Sequence, residues 1–437
     1  MKNNFIKSTI ILIIGGFLTK ILGMLIKIVL TRTISTKGIG IYSLVLPTFN
    51  LFITLCSLGL PIAISKLVSE RGRNHKKIVL IPIPFIMLFN LGLMLIIFIT
   101  APYLSHNLIK NEMTYYPLLA IAFTLPFICI SSIIKGYFFG KEEMFPTTLS
   151  NVVEQIVRLV LTFTVIKMLI GYSLTYAVTG VVLINILSEG ASILVLLMFL
   201  PKNKNIKLKD FKYDKSIIKE LLDISIPTTG SRLIGSLCYF FEPIVLTYAL
   251  NLVGYDNHFI TMEYGIINGY VYPLLLLPSF FTLAISNALL PVVSKSYSMK
   301  NYSYTKYKIK QSIAISLMIG IPCTLLFMFM PEFFLKLIYN TNEGLVYIKV
   351  IAPIYLLYYI QGPLTASMQA MNLAKEAMFG TLIGSILRTL SLLIFSLMRI
   401  GMWGLIISSI VNIVFITLHH LYYVYKNLKM DCSRLQS

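Results

Sequence analysis

Apolar runs of about twenty or more residues succeed one another along the whole chain, each closed by a short polar connection. Twenty residues of α-helix rise about 30 Å, the depth of a bilayer's hydrocarbon core, and a helix satisfies its own backbone hydrogen bonds there. The runs are continuous and do not alternate apolar with polar positions, which excludes a transmembrane β-barrel. They predict twelve membrane-spanning helices at about 8–30, 40–65, 78–101, 115–137, 148–170, 174–200, 221–250, 264–292, 311–331, 346–370, 377–398 and 401–425. The first run follows Lys2 and Lys7 with no small-residue cleavage site behind it, so it reads as a permanent span and not a signal peptide.

The polar connections set the orientation. One alternate set is strongly basic: 66–77 carries Lys66, Arg71, Arg73, Lys76 and Lys77, 201–219 carries seven lysines, and 294–310 carries five. In the other set, 171–173 and 251–263 have no Lys or Arg. Basic loops stay on the cytoplasmic side, so both termini are expected to be cytoplasmic in a multi-pass cell-membrane protein. Most of the net charge of +20 is this asymmetry, and it implies attraction to anionic membrane lipids. The charge lies in short loops between spans, so nucleic acid is not an expected partner. Overall 57% of the 437 residues are hydrophobic and 12% charged, against roughly a quarter charged in soluble domains. The five cysteines, Cys56, Cys129, Cys238, Cys323 and Cys432, are scattered; they imply neither a disulfide framework nor a metal site.

Local matches divide the chain at its longest basic loop. TKILG at 19–23 matches SRLIG at 231–235, SKLVS at 65–69 matches SKSYS at 294–298, and KEEMFPT at 141–147 matches KEAMFGT at 375–381. Arg158 and Gly171 likewise correspond to Arg388 and Gly401. The expected domains are therefore an N-terminal six-helix lobe at 1–205 and a C-terminal one at 206–437. Each half has an even number of spans, so the two run in the same sense, as two parallel lobes around a central cleft.

Charged residues inside spans are the candidate chemistry. Lys20 and Arg232 occupy matching positions, each about twelve residues into its span. A basic side chain at the centre of a lipid-facing helix costs about 2.5–3.5 kcal/mol, so such groups usually face a wet cavity or a partner. Lys27, seven residues after Lys20, shares its helix face; it either joins that cavity or snorkels to the outer interface. Glu154 and Arg158 are four apart and can neutralise one another. Glu189 and Glu242 have no such local partner and are either proton- or cation-coupling sites or partners of basic groups on other helices, with Glu242 in reach of Lys27. Arg388 lacks a local partner too. Asn50, Asn90, Asn185, Asn268, Asn287, Gln361, Gln369 and Asn412 either bond between helices or line the cleft. His419 and His420 read as interfacial. Several cations against few acids suit an anionic substrate, and diphosphate fits cations on opposing walls.

The pattern FLTKILGMLIKIVLTRTISTKGIGIYSLVLP, followed by GLPIAISKLVSERG and, later, IQGPLTASMQAMNLAKEAMFGTLIGSILRT, resembles the multidrug/oligosaccharidyl-lipid/polysaccharide (MOP) exporter superfamily. Within it the chain is most similar to the stage V sporulation protein B-like branch of polysaccharide-biosynthesis and lipid II flippases. The resemblance implies an all-α MATE-like membrane fold and no enzyme activity. It implies export of an undecaprenyl-diphosphate-linked cell-wall precursor, lipid II or a related oligosaccharide lipid, from inner to outer leaflet by alternating access, in spore cortex peptidoglycan synthesis. It assigns substrate binding to Lys20, Lys27 and Arg232. The resemblance departs in two places. The lipid II flippase has fourteen helices against twelve spans here, and no basic residue stands between Gly40 and Ser65. The expected protein is a monomer without bound cofactor or metal, coupled to the membrane potential, Na+ or H+, working beside cell-wall synthesis enzymes. The alternative is a MATE-type cation-coupled multidrug antiporter, which requires an acidic residue such as Glu189.

Overall fold

The computed structural model describes residues 2–70, 72–201 and 214–433. Arg71 and most of the lysine-rich connection at 201–219 lie outside the described residues. Every regular element described is helical. Contacts group the chain into two compact units, Met1–Ile244 and Val245–Ser437. That division falls inside a long helix, whereas the sequence suggests 205/206.

The first unit contains α1 (Lys2–Thr33), α2 (Thr36–Ser57), α3 (Leu60–Ser69), α4 (His75–Leu80), α5 (Pro82–Tyr103), α6 (Tyr115–Gly140), α7 (Met144–Ile170), α8 (Leu174–Met198) and most of α9 (Lys215–Leu252). Short turns start the next helix with a side-chain cap. Ser35 accepts from the amide of Gly38, Asn74 from that of Lys77 and Ser173 from that of Thr175. Each satisfies one of the donors that a helix start leaves open. The second span is broken between α2 and α3, where Leu58 and Gly59 take φ of 43° and 61° and Pro61 opens the next helix. α1 lies along α7, α7 along α8, and α6 packs on α3, α5 and α8. Two apolar cores hold these contacts. One joins Leu30, Ile39, Ile166 and Ala177; the other joins Ile64, Ile133, Phe138 and Leu196.

The second unit contains α10 (Asn257–Ile266), α11 (Tyr272–Leu275), α12 (Ser279–Ser298), α13 (Tyr302–Phe329), α14 (Pro331–Tyr339), α15 (Leu345–Ala370), α16 (Ala374–Leu397) and α17 (Trp403–Ser433). α16 lies along α17, and α15 packs on α12, α13 and α17. Its core gathers Val293, Ile309, Leu364, Met368 and Val424. A π-helical turn at Ile267–Val271 joins α10 to α11, and the chain bends by 52° before α12. His420 is buried, with Nδ1 3.2 Å from Thr365 Oγ1.

Among the described residues, ten helical stretches are long and apolar enough to cross a membrane, and the bent pair of α10–α11 with α12 makes an eleventh. α7 occupies the fifth place in the expected order. It is 27 residues long and differs from the others in carrying Glu154, Arg158 and Lys167. The chain is thus an all-α multi-pass membrane protein of the expected class.

The two units also show the repeat in its spatial register. α6 and α15 are both 26 residues long and start 230 apart. Thr147, Ser150, Glu154, Thr162 and Ile166 are buried on α7, and Ala377, Gly380, Gly384, Leu392 and Ser396 are buried on α16, again 230 apart. The KEEMFPT and KEAMFGT match, at 234, is therefore one helical turn out of register. The inward face of the helix sets the alignment, and in that register Lys135 corresponds to Thr365, Glu154 to Gly384 and Arg158 to Arg388. α8 and α17 bury matching positions at an offset of 228, which pairs Glu189 with Thr417.

Candidate functional site: a charged cavity in the first unit

Four charged side chains from three helices line one cavity of about 450 Å³ in the first unit. That is within the roughly 300–1,000 Å³ range of ligand pockets. α1 contributes Gly23, Ile26, Lys27 and Leu30, the three- and four-residue spacing of one helix face. α7 contributes Glu154, Gln155, Arg158 and Thr162, and α8 contributes Val181, Asn185 and Glu189. α2 closes the cavity with Tyr42, Leu46, Phe49, Asn50 and Ile53.

An ion network fixes one wall. Glu154 Oε1 accepts from Arg158 Nη2 at 2.7 Å, and its Oε2 lies 3.4 Å from Lys135 Nζ. The Arg158 guanidinium also donates to Ser188 Oγ from Nε and Nη2, each at 3.3 Å. Glu154 and Arg158 do not form a closed pair, because Lys135 on α6 is a third member. Asn185 donates its amide back to the carbonyls of Val181 and Val182, which leaves its side-chain oxygen as an acceptor. Glu189 is buried one turn further along α8, and its Oε2 has no hydrogen-bond partner among the described residues. Lys135, Glu154 and Arg158 all interact electrostatically with it.

With both carboxylates ionised, Lys27 and Arg158 balance Glu154 and Glu189 in the lining, and Lys135, behind Glu154 on α6, adds one positive charge next to it. The cavity can therefore hold an anion against Lys27 and Arg158. Glu189 can take up a proton or a small cation within the same electrostatic field.

The structure brings Lys27, Asn50 and Glu189 together here. It places the other sequence candidates elsewhere. Lys20 is exposed on α1 and Arg232 exposed on α9, and neither lines this cavity. Glu242 is buried on α9. Asn268 lies in the π-helical turn and donates to the carbonyl of Tyr264 at 3.2 Å. Arg388 is on α16, where Gly384 replaces the carboxylate that Arg158 has. Lys135 escapes notice in the sequence because it stands near the end of an apolar run, where a lysine ordinarily snorkels.

The comparisons agree with this architecture. The model of the polysaccharide biosynthesis protein family matches residues 5–297, and the MatE family model matches 269–394. The chain belongs to the polysaccharide biosynthesis protein family. It is 37% identical to stage V sporulation protein B of Bacillus subtilis (strain 168) over 431 residues, covering 96% of this chain and 83% of that protein. It is 23% identical to the lipid II flippase MurJ of the same organism, over 74% of this chain and 63% of MurJ. Among solved structures it matches an inward-facing multidrug resistance MATE family transporter of the MOP superfamily at a TM-score of 0.73, with 16% identity, covering 95% of this chain and 96% of that one. The chain is accordingly a multi-pass membrane protein of this family with the fold of the MATE transporters.

Proposed function

We propose that this family member carries an undecaprenyl-diphosphate-linked cell-wall precursor, lipid II or a related oligosaccharide lipid, from the inner to the outer leaflet by alternating access. The observation that carries the reading is the pair of cations in the membrane-embedded cavity of the first unit, Lys27 and Arg158, which stand on different helices. Two separated cations match the two phosphates of a diphosphate. Lys20 and Arg232, exposed on α1 and α9, hold the same head group as it enters. The termini are cytoplasmic, as the basic loops indicate. The likeness to a stage V sporulation protein B supports a role in sporulation, and we extend this to spore cortex peptidoglycan synthesis, beside cell-wall synthesis enzymes and with the chain as a monomer. The membrane potential helps, since each charge moved through 100 mV is worth about 2.3 kcal/mol and an outward-moving dianion gains up to roughly twice that. Glu189 supplies a site for H+ or Na+ if an ion is coupled.

The test is transbilayer movement of fluorescent undecaprenyl-diphosphate saccharides in proteoliposomes. Wild type should move them, and Lys27→Ala, Lys20→Ala and Arg232→Ala should each stop movement while the protein stays folded. Wild-type rates in all three variants would reject the cationic site. A second reading, a MATE-type cation-coupled multidrug antiporter, is favoured by the buried Glu189 carboxylate, whose Oε2 has no hydrogen-bond partner among the described residues. It predicts efflux of a cationic dye that Glu189→Gln abolishes, with no movement of lipid-linked saccharide.

A further inference from the structure

A second cavity, of about 360 Å³, lies within the second unit between α12 and α15. It has no charged residue in its lining. The repeat register shows that three of the four charged positions of the first unit's network are neutral here, while Arg388 on α16, outside the lining, keeps the charge of Arg158. Positions that carry Lys135, Glu154 and Glu189 in the first unit carry Thr365, Gly384 and Thr417 here. The two halves share a fold and have diverged in the chemistry of these inward positions.

The walls are nevertheless polar. The Ser279 hydroxyl donates to the Leu276 carbonyl at 2.5 Å, Ser286 to Thr282 at 2.6 Å and Thr365 to Gln361 at 2.8 Å. Each hydroxyl thereby turns its proton onto its own helix and keeps its oxygen as an acceptor. Gln361 is held by Ile413 and Thr417, at 3.0 and 2.9 Å. Tyr358, Asn287 and Gln369 differ from these. They line the cavity, and none makes a side-chain hydrogen bond within the described residues. One phenol and two carboxamides thus present free donors and acceptors to a space of ligand size.

The lining selects its occupant. A drug cation or a bare diphosphate would lose its hydration with no counter-charge to replace it. A purely apolar ligand would leave both carboxamides unpaired. A sugar ring matches both features: its hydroxyl or acetamido groups pair with the carboxamides and hydroxyls, and its apolar face lies on the Tyr358 ring. We infer that this cavity is a saccharide subsite, in which Tyr358, Asn287 and Gln369 hold an uncharged sugar of the transported head group. The inference rests on the reading that the cargo is a lipid-linked saccharide.

The test uses the full chain in nanodiscs, with N,N′-diacetylchitobiose and maltose as soluble probes of N-acetylated and plain sugars. Saturation-transfer NMR should show one of the two binding to wild type, and Tyr358→Ala and the double variant Asn287→Leu/Gln369→Leu should weaken that binding at least tenfold. In proteoliposomes the same variants should slow a saccharide-bearing undecaprenyl diphosphate at least tenfold and leave the sugar-free lipid at the wild-type rate. Unchanged thermal unfolding shows that the variants are folded. Binding of neither sugar to wild type, or equal binding to all variants, overturns the subsite. If wild type moves both lipids and the variants match it, the subsite falls and the flippase reading stands. If no lipid moves but sugar binding depends on Tyr358, the flippase reading falls and the subsite stands.

Discussion

Replacing Glu154 with Gln keeps the shape of the side chain and removes its charge. Arg158 at 2.7 Å and Lys135 at 3.4 Å then lose a shared counter-ion in a site where the Glu154 side chain is only 9% exposed. At an effective dielectric constant of about 20 the two attractions are roughly 6 and 5 kcal/mol before desolvation is subtracted. Part is recovered, because the Gln oxygen still accepts from Arg158 and water reaches a guanidinium that is 24% exposed. The net loss expected for breaking one side of a buried ion network is about 3–5 kcal/mol, a large fraction of a total stability of roughly 5–15 kcal/mol. For a unit of this size that corresponds to a fall of about 6–20 °C in the unfolding midpoint. Cys56 and Cys129, both fully buried in the first unit, provide the readout. A thiol-reactive fluorophore labels them only as the unit opens, once Cys238, Cys323 and Cys432 are replaced by serine. Glu154→Gln/Lys135→Met, which removes the positive charge along with the negative one, should recover at least half of the loss. A Glu154→Gln midpoint within about 1 °C of wild type, or a double variant worse than the two single changes together, would refute the network's structural role.

Gly140→Ala places a Cβ 2.6 Å from the carbonyl oxygen of Ser65 and 2.7 Å from Val68 Cβ; the same thiol assay should show a loss of about 1–3 kcal/mol from overpacking. Gly59→Ala strains a residue at φ of 61° and drives its Cβ into Thr228, so the midpoint should fall further than for Ala63→Gly on the next turn. Outside the membrane spans, Lys336 donates to Glu332 at 2.6 Å, and that bond and the lysine's charge hold the Glu332 carboxyl below its ordinary range. The stabilisation it gives α14 is present above the unfolded-state value and is lost as pH falls through the lowered folded-state value. Carboxyl-carbon NMR should show the Glu332 midpoint rise in Lys336→Ala, and an unchanged midpoint would show that the contact does not persist in solution.

The sequence by itself determined the membrane class and the succession of apolar helices along the chain. Each of these is written locally: twenty apolar residues make a span regardless of neighbours, and basic residues mark the loops beside them. It also singled out Lys27 and Glu189, because an ionisable residue deep in an apolar run stands out unaided. Other features needed the packed helices. Lys135 joins Glu154 only because α6 packs on α8, which lies along α7. The match at 141–147 and 375–381, five residues of seven, stands one turn away from the register that burial sets on α7 and α16, whereas the match of Arg158 with Arg388 falls in it. The contrast between a charged cavity in the first unit and a neutral one in the second is likewise tertiary. It arises from residues on separate helices, and the free energy of a charge depends on the partners and solvent that those helices place around it.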